Sequence, residues 1–331
     1  MTDRIRLSDI SPLSWEHPAD RAALDTLRAL PGLDEVVRKV LGVIGERGIR
    51  HLFLGNAMRV TLLQRPKLHE LFSEVLETLD WQGPRPDLYV TQTPITNAGA
   101  IGLDQPFIVI NTGTLHLLDR EEQRNVLGHE LGHIISGHAI YRTIALLLLT
   151  LGLRNIPLAG IAILPIEMAL FEWFRKSELS CDRAGLLAGQ QPRISLSTQM
   201  KLAGGSPSSH DHDDSLDVDE FIAQADRYEL NESALDLVMK YLNTAFQTHP
   251  FHTVRAAELH RWVLSGEYDR ILQGQYLRRS AQPSVTDAYS TAADYYKSQA
   301  RDVWNQVGGM VKNARDAVNK HLKVREDDPK R

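Results

Sequence analysis

The sequence predicts an α+β protein, mostly α, and three observations carry that reading. Apolar residues recur at three- and four-residue steps over long stretches, one internal stretch switches to β-branched residues among turn formers, and helical spacing resumes after it. The 331 residues are 43% hydrophobic, enough for a buried core, and a formal charge of −5 is too small to suggest wholesale attraction to nucleic acid or anionic lipid.

Three one-sided helices come first. Ala19–Leu30 ends at Pro31-Gly32; Leu33–Ile44 carries Val36, Val37, Val40, Leu41 and Ile44; Lys67–Leu79 carries Leu68, Leu71, Phe72, Val75 and Leu79. The next stretch, "DLYVTQTPITNAGAIGLDQPFIVINTGTLHLL", reads as a small sheet, with Leu88–Thr91 and Pro106–Asn111 as its strands. "LDREEQRNVLGHELGHIISGHAIYR" then restores helical spacing, and Asp119, Glu121 and Glu122 suit the positive end of a helix dipole.

Residues 143–174 are the most apolar. The run Thr143–Leu153 has 11 residues, against roughly 20 needed to span a bilayer. The run Ile156–Phe174 is interrupted by Pro157, Pro165, Glu167 and Glu172, so a buried helical hairpin is expected, with membrane insertion or docking as the alternative. "AGGSPSSHDHDDSLDVDE" (203–220) reads as a solvated acidic loop, since it lacks the glycine and spacing of a calcium-binding loop. From Pro283 onward, apolar residues from Val285 to Leu322 predict a long amphipathic helix. The expected organisation is an N-terminal helical region (1–64) packed on the core, a central domain (65–280) and a C-terminal helical extension (281–331).

The single cysteine, Cys181, excludes an intrachain disulfide and suits a reducing compartment, and "MTDRIRLSDISPLSWEHPAD" lacks a secretory pattern. The expected location is cytoplasmic, with peripheral membrane association as its variant.

The chemistry centres on "NVLGHELGHIISGH" (125–138), which contains H-E-x-x-H. Composition alone gives about 0.03 chance occurrences of that pattern in a chain like this. Four-residue spacing puts the imidazoles of His129 and His133 on one helix face, able to share one zinc ion, with Glu130 beside them as general acid/base for peptide-bond hydrolysis. A third ligand is required. The extended motif with a third histidine fails, because Gly137 and His138 follow His129 by eight and nine residues rather than seven and ten. His138 is therefore expected at the helix end or behind a ligand.

A carboxylate from another helix is the remaining source, and Glu178 in "RKSELSCDRAG" fits. A helix running from His133 to Leu153 rises roughly 30 Å and one returning from Ile156 to Glu178 descends roughly 33 Å, which brings Glu178 back beside the histidines. Asp182, one turn further, is placed to accept the outward N–H of a ligating imidazole; the alternative is an exposed acid paired with Arg183 or Arg175.

"HELGHIISGH", "ELSCDRAG" 45 residues after His133, and "THPFHTVR" together resemble the M48 family of zinc metallopeptidases, the Ste24/HtpX-like gluzincins, over roughly residues 65–275. The resemblance implies a gluzincin-like domain with a small sheet beside the H-E-x-x-H helix, one Zn2+ held by His129, His133 and Glu178, and Glu130 as the catalytic acid/base. It also implies that His249 and Arg255 support the tetrahedral oxyanion, although from the residues alone they read equally as a helix-start histidine and a surface arginine. It further implies a strand with an open edge that binds peptide, placed at "PFIVINTG" (106–113), which could instead be interior. Cys181 stands where the family commonly has alanine.

The expected function is a zinc-dependent endopeptidase acting on peptide or unfolded protein, without nucleic-acid partners. The alternative is a non-catalytic, metal-stabilised assembly protein working through its C-terminal helix. A membrane surface or a protein partner is expected to meet the chain through 143–174 or 285–322, and the tail helix either covers the cleft, docks elsewhere or completes the core.

Overall fold

The computed structural model describes residues 4–150, 163–205, 215–230 and 251–281. The expected tail helix at 285–322, His249, residues 151–162 of the apolar stretch and 206–214 of the acidic loop lie outside the described residues.

The chain opens with helices α1 (Pro18–Arg28) and α2 (Leu33–Leu54). Proline at the start of α1 removes an N–H that the helix could not use, and α2 runs past its expected end, bending at Gly45, whose φ of 62° suits glycine. A short strand β1 (Ala57–Arg59) and helix α3 (Pro66–Thr78) follow. The sheet continues with β2 (Asp87–Thr91), β3 (Ala98–Ile101) and β4 (Phe107–Asn111).

The strand order is β1-β2-β4-β3. β2 and β4 pair in parallel, Leu88 opposite Ile108, while β1 and β3 add antiparallel at the two edges. This corrects the placing of the open edge: "PFIVINTG" contains β4, which is hydrogen-bonded on both sides, and the edge nearest the central helix is β3. β1, before residue 64, pairs with β2, after it, so the N-terminal and central regions share one sheet.

After α4 (Thr112–Leu117) comes the central helix α5 (Arg120–Ile135), then α6 (Ala139–Thr150), α7 (Ile163–Gly189), α8 (Pro192–Gly204), α9 (Val218–Leu230), α10 (His252–Leu264) and α11 (Glu267–Leu272). The helix carrying His133 does not run on toward Leu153 as expected. It stops at Ile135 and turns at Gly137, whose φ of 69° suits glycine, before α6 begins. α7 nevertheless returns along α5. No helix among the described residues is long and apolar enough to cross a membrane.

One apolar cluster joins the sheet to α3, α5 and α7 through Phe72, Val75, Ile108, Leu127, Leu131 and Leu187. A second joins α1 and α2 to α6 and α7 through Leu27, Val36, Ile49, Ile144, Leu170 and Trp173. Near the end of the described chain, Ile10 forms a bridge with Arg278, and Arg279 donates to Asp80 Oδ2 at 2.5 Å. Asp80 also accepts from Arg6 at 2.7 Å, and Ser280 hydrogen-bonds Asp9, so the two ends of the described core are clasped together.

Candidate metal centre

α5 starts on a reciprocal cap. Asp119 Oδ1 accepts from the N–H groups of Glu121 and Glu122 at 2.9 and 3.0 Å, and Glu122 Oε2 accepts from the Asp119 N–H at 2.9 Å. Beyond this turn α5 is buried on all sides from Arg124 to Ile134, polar and apolar residues alike.

What lies against its polar face is α7, at a separation only small residues permit. A Cβ on Gly128 would stand 2.4 Å from the Ala188 Cβ, one on Gly132 2.7 Å from the Ala184 Cβ, and one on Gly185 2.7 Å from the Asn125 carbonyl oxygen. Close approach at these positions sets Glu178 and Asp182 of α7 against the two histidines of α5.

His129 Nε2 and His133 Nε2 are 3.1 Å apart, and each lies 3.3 Å from a carboxylate oxygen of Glu178. These ligand atoms lie mutually within 4.8 Å. A tetrahedral ion with bonds of about 2.0–2.1 Å places its ligand atoms about 3.3 Å apart, so two imidazoles and a carboxylate at these separations fit zinc. Glu178 and His133 are fully buried and His129 nearly so.

Behind His129, Asp182 Oδ1 lies 3.1 Å from Nδ1, where it accepts the outward N–H and directs Nε2 at the ligand group. Asp182 is buried rather than an exposed acid paired with Arg183 or Arg175. It accepts two hydrogen bonds from Arg255, Nε to Oδ2 at 2.8 Å and Nη2 to Oδ1 at 2.6 Å, and a third from Gln199 at 2.9 Å. Arg255, only 6% exposed, is no surface arginine; its Nη1 also lies 3.3 Å from Glu178. Gln199 in turn accepts from His252 of "HPFHTVR" at 2.8 Å.

Glu130, buried beside His129, accepts the Ala100 N–H of β3 at 2.8 Å. Arg142 of α6 donates to Glu178 Oε1 at 2.5 Å and also touches His133 Nε2. Sequence reasoning missed Arg142, although a lone cation in the apolar run "AIYRTIALLLL" was a usable signal. It also missed Gln199, which carries none, and His252, which stood unassigned inside "THPFHTVR".

The charges around the two imidazoles differ. Burial pushes His129 down, but Glu178 and Asp182 together outweigh burial and raise it to about 9. His133 is held well below the usual histidine range by burial and by Arg142. Burial works against ionisation of Asp182, yet Arg255 and His129 prevail and lower its pKa. Two acids therefore favour positive charge at His129, the potential a bound cation would meet.

One cleft opens on this group, lined by His129, Glu130, Glu178, Asp182, Asn97 and Ala98. A second, lined by Arg142, Phe174 and Ile101, reaches the same edge residues Asn97 and Ala98.

The chain is similar in sequence to known proteins. The family model described as "Peptidase family M48" matches residues 62–263. A protein of Arabidopsis thaliana named "Plastoglobule-localized metallopeptidase 48, chloroplastic" is 38% identical over 269 residues, covering 80% of this chain and 76% of the plant protein. Bacterial proteins named "Protease HtpX homolog" match over about a third of their own length: that of Sulfurihydrogenibium is 30% identical over 96 residues, 28% of this chain and 32% of the relative, and that of Paenarthrobacter aurescens 38% identical over 80 residues, 24% of this chain and 27% of the relative. No solved structure matches. With a family model matching residues 62–263 and a metallopeptidase relative matched over 80% of this chain, the chain belongs to peptidase family M48 and is a metallopeptidase.

Proposed function

We propose that the chain is a zinc-dependent endopeptidase in which His129, His133 and Glu178 hold one Zn2+ and Glu130 is the general acid/base. The observation that carries the reading is the convergence of three ligand atoms and one further carboxylate on a cleft bordered by a sheet edge. When bound, the zinc supplies a Lewis acid for the scissile carbonyl and the attacking water. Glu130, oriented by the Ala100 N–H, takes the proton of that water and passes it to the leaving amine.

Asp182 fixes the tautomer of His129. Arg255 grips both Asp182 and Glu178, which supports a role in holding the acids in place more directly than one at the oxyanion. The oxyanion role expected of His249 lies outside the described residues.

The substrate is peptide or unfolded protein, laid as an extra strand along β3. Asn97 and Ala98 line both clefts, so side chains alternating along an extended peptide would enter one and then the other. The test is digestion of a peptide library by zinc-loaded protein. Glu130→Gln is expected to keep its zinc and lose roughly 10²- to 10⁴-fold in cleavage rate; cleavage that persists in the zinc-loaded variant sinks the assignment of Glu130.

For location, we propose the cytoplasmic side of a lipid surface, met through the turn Thr61–Gln64. The turn is closed by two backbone hydrogen bonds, Thr61 N–H to Gln64 O at 2.8 Å and Gln64 N–H to Thr61 O at 3.1 Å. It presents Leu62 and Leu63, 72% and 99% exposed, beside exposed Arg65 and Lys67, while nearby Arg59 pairs with Asp87. Two leucines in a cationic setting suit an anionic bilayer, and the plant relative's name places that protein at plastoglobules. Sedimentation with phosphatidylglycerol vesicles is expected to carry the protein down and to fail for Leu62→Ser/Leu63→Ser; a double variant that still sediments removes this surface.

A further inference from the structure

The two histidines differ in what stands behind them. His129 has a carboxylate directly at its outward nitrogen. His133 has none there; its Nδ1 lies 3.2 Å from Nδ1 of His138 and 3.3 Å from Arg142 Nη1, and Nε2 of His138 lies 3.3 Å from Oδ2 of Asp20. Asp20 belongs to α1, outside residues 62–263 that match the family.

We infer that Asp20 is a positioning residue for the metal, acting on His133 through His138. This rests on the metal reading above, and bond directions follow from it. A metal at His133 Nε2 requires the proton on Nδ1, which then donates to His138 Nδ1. His138 must accept there, so its proton is on Nε2, and it donates to Asp20. Each ring has one tautomer, and the carboxylate closes the chain. The pattern repeats the arrangement at His129 with one imidazole interposed.

Other contacts hold the relay in place. The His17 N–H donates to Ser180 Oγ at 2.9 Å, and the Ser180 hydroxyl donates to Asp20 Oδ2 at 2.5 Å, which ties the first turn of α1 to α7. The Trp173 ring meets His138 edge-on, with centroids 5.4 Å apart. Cys181 Sγ, 3.7 Å from His138 Nδ1, is the other group at that nitrogen, and burial keeps its thiol protonated. Asp20 is almost completely buried, and its Oδ1 has no hydrogen-bond partner among the described residues. A buried carboxylate with one idle oxygen is a poor structural element, since its desolvation is only partly offset. Its place at the end of the relay accounts for it.

The test measures the zinc dissociation constant of the full chain by competition with a chromophoric chelator, for wild type, Asp20→Asn, His138→Phe and the double variant. His138→Phe is expected to weaken zinc roughly 10- to 100-fold and Asp20→Asn, which keeps shape and an acceptor oxygen, roughly three- to tenfold. The double variant is expected to match His138→Phe alone, because a cut relay leaves Asp20 nothing to act on. Leu27→Ala, which loosens α1 without touching the relay, is expected to bind zinc as wild type does. Additive losses in the double variant, wild-type affinity in Asp20→Asn, or an equal loss in Leu27→Ala would each overturn the inference while the metal reading stands. A wild-type chain that takes up no zinc overturns both.

Discussion

Helices α3 and α5 are neighbours of similar length, yet their sequences obey different rules. α3 buries Leu68, Leu71, Phe72, Val75 and Leu76 on one face and exposes Lys67, Glu70 and Glu77 on the other. α5 has no such stripe: Leu127 and Leu131 join the sheet and α3 in one apolar cluster, while His129, Glu130 and His133 are equally buried against α7 and β3. A helix that only packs needs a period, whereas a helix that carries chemistry needs particular atoms at particular places. On α5 each buried polar group is met by a group from another element: Asp182 behind His129, Ala100 N–H on Glu130, Ser195 on Asn125.

That difference can be broken first at Gly128. Gly128→Val forces methyl groups into the space of Ala188, and a loss of more than about 4 kcal/mol is expected, with zinc affinity lost as α5 and α7 separate. Urea unfolding and metal titration of the same sample check it; a stable, zinc-binding Gly128→Val would show that close approach is not what sets the ligands. Leu71→Ala on α3 is expected to cost about 2–5 kcal/mol in stability and leave zinc affinity unchanged. A shifted zinc constant in that variant would erase the distinction between the two helices. The smallest effect belongs to the start of α5, where Asp119→Ala removes half of the reciprocal cap and is expected to cost about 1 kcal/mol, read as a lowered urea midpoint without change in cleavage.

The same contrast explains what could be read beforehand. α3 was legible from its period and the His129–Glu130–His133 group from its spacing. Glu178 was reached by matching the lengths of two helices, although the first of them breaks at Gly137 and the path differs from the one assumed. β1 and β3 escaped notice because "AMR" and "AGAI" are short and poor in the β-branched and aromatic residues that mark strands. That omission put the open edge on β4. Asp20 and Gln199 were invisible for a different reason: each joins the site only through contacts between helices distant in sequence, which no local pattern encodes.

The clasp of Arg279 and Ser280 on Asp80 and Asp9 has a mechanical consequence. Tension applied at Ala281 is borne first by the Arg279–Asp80 ion pair, the Ser280–Asp9 hydrogen bond and the bridge between Ile10 and Arg278, so it loads the N-terminal segment before any force reaches α5 or α7.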